Sequence, residues 1–168
     1  MSSGPTKRIL SIDGGGIMGT QPAAFLASLE EDLGHRPALH RFSEIWFDAL
    51  HPNTPMLDLM RELRDRGYKL GILTNNVREW EEKWRAKLPI DEIFEVVVDS
   101  AYVGMRKPDP AIYRLTLERM GTEEPSECLF VDDNELNVEA ARELGLHAVH
   151  FRDNDQAITE IREALGIA

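Results

Sequence analysis

The sequence has a single cysteine, Cys128, so no disulfide can form within the chain, and a reducing compartment is allowed. It is short of positive charge: 19 Lys and Arg face 30 Asp and Glu, a formal net charge of −11. That balance argues against nucleic acid and against an anionic membrane surface as partners, because both recruit basic patches. No apolar run approaches the roughly 18 residues of a membrane helix. The opening MSSGPTKR lacks the apolar stretch of a secretory signal. The expected setting is therefore cytoplasmic, without membrane contact. At 168 residues and 42% apolar content, the chain is expected to form one domain over 1–168 with one sizeable core.

What is present is an alternation of two periodicities. RILSI (8–12), YKLGILT (68–74), FEVVVD (94–99), CLFVDD (128–133) and HAVHF (147–151) read as nearly continuous apolar strands. Between them run amphipathic stretches at 53–67, 77–88, 110–121 and 135–145, with a closing one at 157–165. Thr54 is the expected N-cap of the stretch 53–67, with Pro55 at its first helical position. Two further helices are expected at 22–34 and 38–50. Strands buried on both faces and alternating with helices imply a parallel sheet covered on each side, an α/β/α sandwich of Rossmann-like form. In such open sheets ligands bind beyond the carboxyl ends of the strands.

Those ends carry a coherent set of residues. The first strand runs into Asp13, the second into Thr74 and Asn75, and the fourth into Asp132 and Asp133; after the third comes a stiff loop with Arg106 and Lys107 between glycine and proline. The chemistry this suggests is phosphoryl transfer. Asp13 and Asp132 can share a hard divalent cation such as Mg2+, which prefers carboxylate and carbonyl oxygens. Thr74 and Lys107 offer a hydrogen-bond donor and a positive charge to phosphate oxygens. Asp133 can hold the lysine or a metal-bound water, and one carboxylate is left to attack phosphorus.

The segments ILTNN (72–76), GMRKPDPAIY (104–113) and LFVDDNELNVEAARELG (129–145) resemble the second, third and fourth motifs of the haloacid dehalogenase (HAD) superfamily. The likeness covers roughly residues 53–165. It implies a HAD-type three-layer fold and a magnesium-dependent aspartyl-phosphate mechanism on a small phosphorylated molecule. It further implies Asp13 as nucleophile, Thr74, Asn75 and Lys107 at the phosphate, and Asp13, the Gly15 carbonyl and Asp132 around the metal. Asn137 matches a position that supports the motif-four loop. Response-regulator receivers use the same residue types but carry an acidic pair on the first strand, which the order here disfavours. Family members commonly place a second aspartate, a general acid/base, two residues after the nucleophile. Here that position is Gly15, in a DGGGIM stretch of a form some members show; it predicts slow turnover or a substrate with a good leaving group.

Two other features bear on the N-terminal part. ILSIDGGGIMGTQPAAFLASLEEDLG (9–34) resembles the oxyanion-loop segment of patatin-like phospholipases, with Met18 where that loop has arginine. The serine elbow G-x-S-x-G that such chemistry needs is absent. The two resemblances meet near residues 35–40, a candidate junction of a chimera. The same glycines, Gly14, Gly16 and Gly19, fit a dinucleotide fingerprint, but the acidic residues some twenty positions on sit in a helix instead of at a strand end. Only about 20–50 remains for a cap, which is expected to be a reduced pair of helices. Such a lid predicts an open site, or a homodimer in which a partner closes it. The competing expectation is a catalytically silent HAD-fold scaffold.

Overall fold

The computed structural model describes residues 8–12, 44, 47–48 and 50–167. Its frame is a five-stranded, all-parallel sheet in the order β3-β2-β1-β4-β5. The strands are β1 (Arg8–Ile12), β2 (Lys69–Thr74), β3 (Val96–Asp99), β4 (Cys128–Asp132) and β5 (His147–His150). Helix α1 (Thr54–Asp65) precedes β2, and α2 (Glu81–Arg85) and α3 (Ile90–Ile93) lead to β3. Then α4 (Ser100–Val103) and α5 (Pro110–Met120) lead to β4, α6 (Glu135–Glu143) to β5, and α7 (Asn154–Leu165) follows. The expected strands are all present, each within two residues of its expected ends.

Two apolar layers flank the sheet. On one face, Met56, Leu59, Met60 and Leu63 of α1 and Ala157 and Ile161 of α7 pack on Leu70, Ile72, Leu129 and Val131. On the other, Ile112, Tyr113, Leu117 and Met120 of α5 and Ala141 of α6 pack on Leu73, Val98, Cys128 and Phe130. Successive residues of β2 and β4 therefore bury opposite faces, as the strand period demands. Burial of this kind, at roughly 25 cal/mol per Å2, is the dominant stabilising term. Cys128 is a buried core residue. Phe47 is buried too and meets Trp80 edge to face, with ring centroids 5.5 Å apart.

Local differences from expectation have physical causes. The stretch 77–88 is not one helix. A 3-10 turn at Arg78–Trp80 precedes the five-residue α2. Beyond Ala86 the backbone bonds shorten to Lys87 N–Trp84 O and Leu88 N–Arg85 O, just before Pro89, which cannot continue a helix. Helix α7 begins three residues early because Asp153 caps it, its side chain accepting from the Gln156 N–H. The cap residue of α1 is Asn53, and Thr54 is already helical. Of the expected helix 38–50, Glu44, Phe47 and Asp48 are helical. The helix 22–34 and the rest of the expected cap lie outside the described residues. Among the described residues, no helix is long and apolar enough to cross a membrane.

Two positions in the sheet generate tests. Gly71 lies in β2 under α5, and a Cβ there would sit 2.8 Å from Met120 Sδ and 3.4 Å from Val96 Cβ. The missing side chain lets the helix settle on the sheet, so Gly71→Val is expected to cost about 1–3 kcal/mol in urea unfolding. Asp99, at the end of β3, caps α4 by accepting from the Ala101 N–H at 2.9 Å, yet its Oδ2 is buried and, among the described residues, has no hydrogen-bond partner. Burial pushes its carboxyl above the ordinary value of 3.8, and the negative charge of Glu81 adds to this, against the opposing Ala101 bond and Arg85 charge. A raised carboxyl favours the folded state fully below the unfolded-state value. That contribution is lost as pH rises through the folded-state value. Urea unfolding of Asp99→Asn and the parent chain from pH 3.5 upward should therefore show the variant gaining relative stability as pH rises.

Candidate active site

The carboxyl ends of β2 and β4 and the loop after α4 converge on one buried cation. Lys107 is 1% exposed, and its Nζ donates to Asp132 Oδ2 at 2.7 Å and to the Leu73 carbonyl at 2.9 Å. Neither side chain of this ion pair reaches solvent. An ammonium group can stay charged so deep in a protein only where acceptors replace its lost water. The strand-end carboxylate and the β2 carbonyl supply them.

Asp132 is itself held from the other side. Its Oδ1 accepts from the Asn134 N–H at 2.8 Å and from Asn137 Nδ2 at 3.0 Å. Asn137 lies in the first turns of α6, whose N-cap Asn134 accepts from the Leu136 N–H. The Asn137 carbonyl in turn accepts from the Tyr113 hydroxyl at 2.9 Å, and Tyr113 meets Phe130 edge to face at 5.4 Å. Phe130 lies two residues before Asp132, so both project to the same face, and Lys107 Nζ stands 5.6 Å from the Phe130 ring centre. A phenyl ring, an ammonium, a carboxylate and an amide thus form one packed layer.

The backbone around Lys107 is fixed just as firmly. Asn75 donates from Nδ2 to the Lys107 carbonyl at 2.9 Å and accepts from the Lys107 N–H at 2.8 Å. A side-chain amide here imitates a strand neighbour and ties the loop to the end of β2. On the far side, Asp109 accepts from the Ala111 N–H and starts α5, with Pro110 at the first helical position. Thr74 is 7% exposed and closes β2 beside Asp99 in register.

Lys107, Asp132, Thr74, Asn75 and Asn137 are therefore brought together. Asp133 is half-buried, and its carbonyl contacts His150 Nε2 at 3.1 Å. The ammonium of Lys107 is held by Asp132 at the end of β4, while Asp133, read from sequence as holding the lysine or a metal-bound water, is the first residue beyond that strand. Asp13 and Gly15 lie outside the described residues; Ile12, just before Asp13, pairs with Val131, just before Asp132. Among the described residues, no three His, Cys, Asp or Glu side chains are grouped so as to hold a metal. Sequence reading gave Asn75 a phosphate-binding part and did not foresee its clamp on Lys107. It also passed over Asp99, a strand-end acid in plain view.

Comparison with known proteins gives the family of the chain. A phosphatase of Mycobacterium tuberculosis is 37% identical over 136 residues, 77% of this chain and 61% of its own length. Bifunctional epoxide hydrolase 2 of Sus scrofa is 35% identical over 122 residues, 68% of this chain, which spans only 21% of that longer protein. A HAD-family enzyme of Bacteroides thetaiotaomicron, solved in complex with magnesium and inorganic phosphate, superposes with a TM-score of 0.64 at 25% identity, covering 87% of this chain and 94% of that one. The family model for haloacid dehalogenase-like hydrolases matches residues 19–145. With the parallel sheet and the Lys107–Asp132 centre at its carboxyl edge, these matches show that the chain belongs to the haloacid dehalogenase-like hydrolase family.

Proposed function

We propose that the protein is a magnesium-dependent phosphatase that cleaves a small phosphate monoester through an aspartyl-phosphate. The observation that carries this reading is the buried, doubly anchored Lys107 ammonium beside Thr74 and Asn75 at the carboxyl edge of the sheet. A cation fixed by Asp132 and a backbone carbonyl is preorganised for phosphate oxygens and need not reorganise as charge develops on them.

The donor set bears on where magnesium would sit. Three N–H donors already bind the two oxygens of Asp132, which leaves that carboxylate little capacity for a cation as well. Its half-buried neighbour Asp133 is the better candidate, with Asp13 and the Gly15 carbonyl completing an oxygen-rich set suited to magnesium. Bound there, the ion would offset the negative charge that carboxylates and phosphate bring together.

In the first step a carboxylate oxygen of Asp13 forms a bond to phosphorus. The ester P–O bond breaks, and its electron pair leaves with the ester oxygen, which takes up a proton. In the second step water attacks the same phosphorus, the bond to Asp13 breaks, and inorganic phosphate leaves with the carboxylate restored. Thr74 and Lys107 hold the phosphate oxygens throughout. Gly15 supplies no proton to the leaving oxygen. General acid catalysis is worth roughly 10²–10⁴-fold, so good leaving groups, such as a phenolate or a carboxylate, are favoured.

Assay of aryl phosphates with magnesium tests the reading: Asp13→Asn should lower the rate by at least roughly 10³-fold. Equal rates in the two chains would instead mark a catalytically silent scaffold. Lys107→Met should abolish turnover and, by stranding the buried Asp132 charge, cost about 3–5 kcal/mol of stability in urea unfolding. Adding Asp132→Leu to that variant should restore much of the stability and none of the activity.

A further inference from the structure

Beside the phosphate edge lies a cleft of about 360 Å3, lined by Asn75, Asn76, Val77, Trp80, Ser100, Gly104, Met105 and Arg106. It adjoins the Lys107 centre through two residues: Asn75 clamps the Lys107 backbone, and Arg106 precedes Lys107 in the chain. Its size is at the small end for a ligand pocket, enough for one ring with a substituent.

The walls are cross-braced. Asn76 N–H donates to Ser100 Oγ at 2.9 Å, and that hydroxyl lies 3.3 Å from the Asn76 carbonyl. Arg78 Nε donates to the Ala101 carbonyl at 2.9 Å while its guanidinium lies 5.3 Å from the Tyr102 ring centre. Tyr102 donates its hydroxyl to Glu81. The two segments that form the cleft are thus joined at several points, and little ordering is left for a ligand to impose.

The lining combines an apolar body with one cation. Val77, Trp80 and Met105 present a side chain, a ring and a thioether to a flat apolar group. Arg106 is exposed at the rim of this cleft. Among the described arginines, Arg61, Arg64, Arg66, Arg85, Arg152 and Arg162 hold carboxylates, with N–O distances of 2.5–3.4 Å, and Arg78 and Arg142 are engaged on backbone carbonyls; Arg106 is the arginine that lines this cleft. A guanidinium exposed at the rim of an apolar cleft suits a planar anion, which it can bind in a two-pronged fashion.

We propose that this cleft receives the leaving-group half of the substrate, and that Arg106 selects a phosphate ester whose flat apolar body carries a carboxylate. The proposal rests on the phosphatase reading, so its test separates the two. Phenyl phosphate and 4-carboxyphenyl phosphate share a reacting phosphate and differ in the distal carboxylate. The parent chain should favour the carboxylated ester in kcat/KM, mainly through KM, by roughly tenfold, the worth of one charge-assisted hydrogen bond. In Arg106→Gln that ratio should collapse toward one.

An unchanged ratio in the variant, or no preference in the parent chain, overturns the proposal. An equal loss on both esters also overturns it, because Arg106 would then serve the reacting phosphate. Absence of turnover on either ester counts against the phosphatase reading alone. The cleft is then judged by calorimetric binding of both esters to the Asp13→Asn chain with and without Arg106→Gln. A preference for the carboxylated ester that disappears with the arginine supports the proposal, and equal affinities overturn it.

Discussion

The buried pair of Lys107 and Asp132 is the constraint around which this edge of the molecule is organised. Two opposite charges without solvent are tolerable only with further hydrogen-bond partners, and the surroundings supply three of them. The β2 carbonyl of Leu73 takes a second ammonium hydrogen, and Asn134 and Asn137 occupy the other carboxylate oxygen. The pair and its partners come from four places in the fold, so the pair fixes β2, the loop before α5, β4 and the start of α6 relative to one another. Hydrophobic burial assembles the sheet, but it does not choose this alignment of strand ends. The polar centre does.

The same centre separates structural roles from chemical ones. Asp132 is tied into the fold by three hydrogen bonds, from Lys107, Asn134 and Asn137. Asp133, one residue on, leaves the closed layer and faces a half-buried environment. Consecutive aspartates at a strand end are therefore not equivalent, since Asp132 closes the strand inside the packed layer and Asp133 begins the turn beyond it. The cleft beside Arg106 adds a braced, partly apolar surface next to this closed polar centre.

Much of this was legible in the residues. The five strands were readable because apolar runs such as LGILT and CLFVD admit no helical stripe, and the placement of Thr74, Lys107 and Asp132 followed from where those runs stop. The membership of Asn137 in the site was also readable from its spacing after the aspartates. Less accessible were features settled by tertiary geometry. The break within 77–88 depends on where Pro89 and the turn at Arg78–Trp80 let the chain descend to β3. The part that Asp132 takes depends on the strand ending there, one residue short of Asp133. The Asn75 clamp depends on two loops meeting, which no local pattern encodes.

The central position of β1 has a consequence for how the chain reaches this state. Arg8 pairs in register with Lys69 on one side and with Cys128 on the other, so β1, the earliest in the chain of the five described strands, is the central one of the sheet. It has no neighbour until β2 has emerged and only one until β4 follows. Pairings so distant in sequence carry a large loop-closure cost before they return any stabilisation, and such topologies fold slowly. During synthesis an apolar strand with two open edges must wait for β4, and the strand ends that meet at Lys107 and Asp132 are aligned only then.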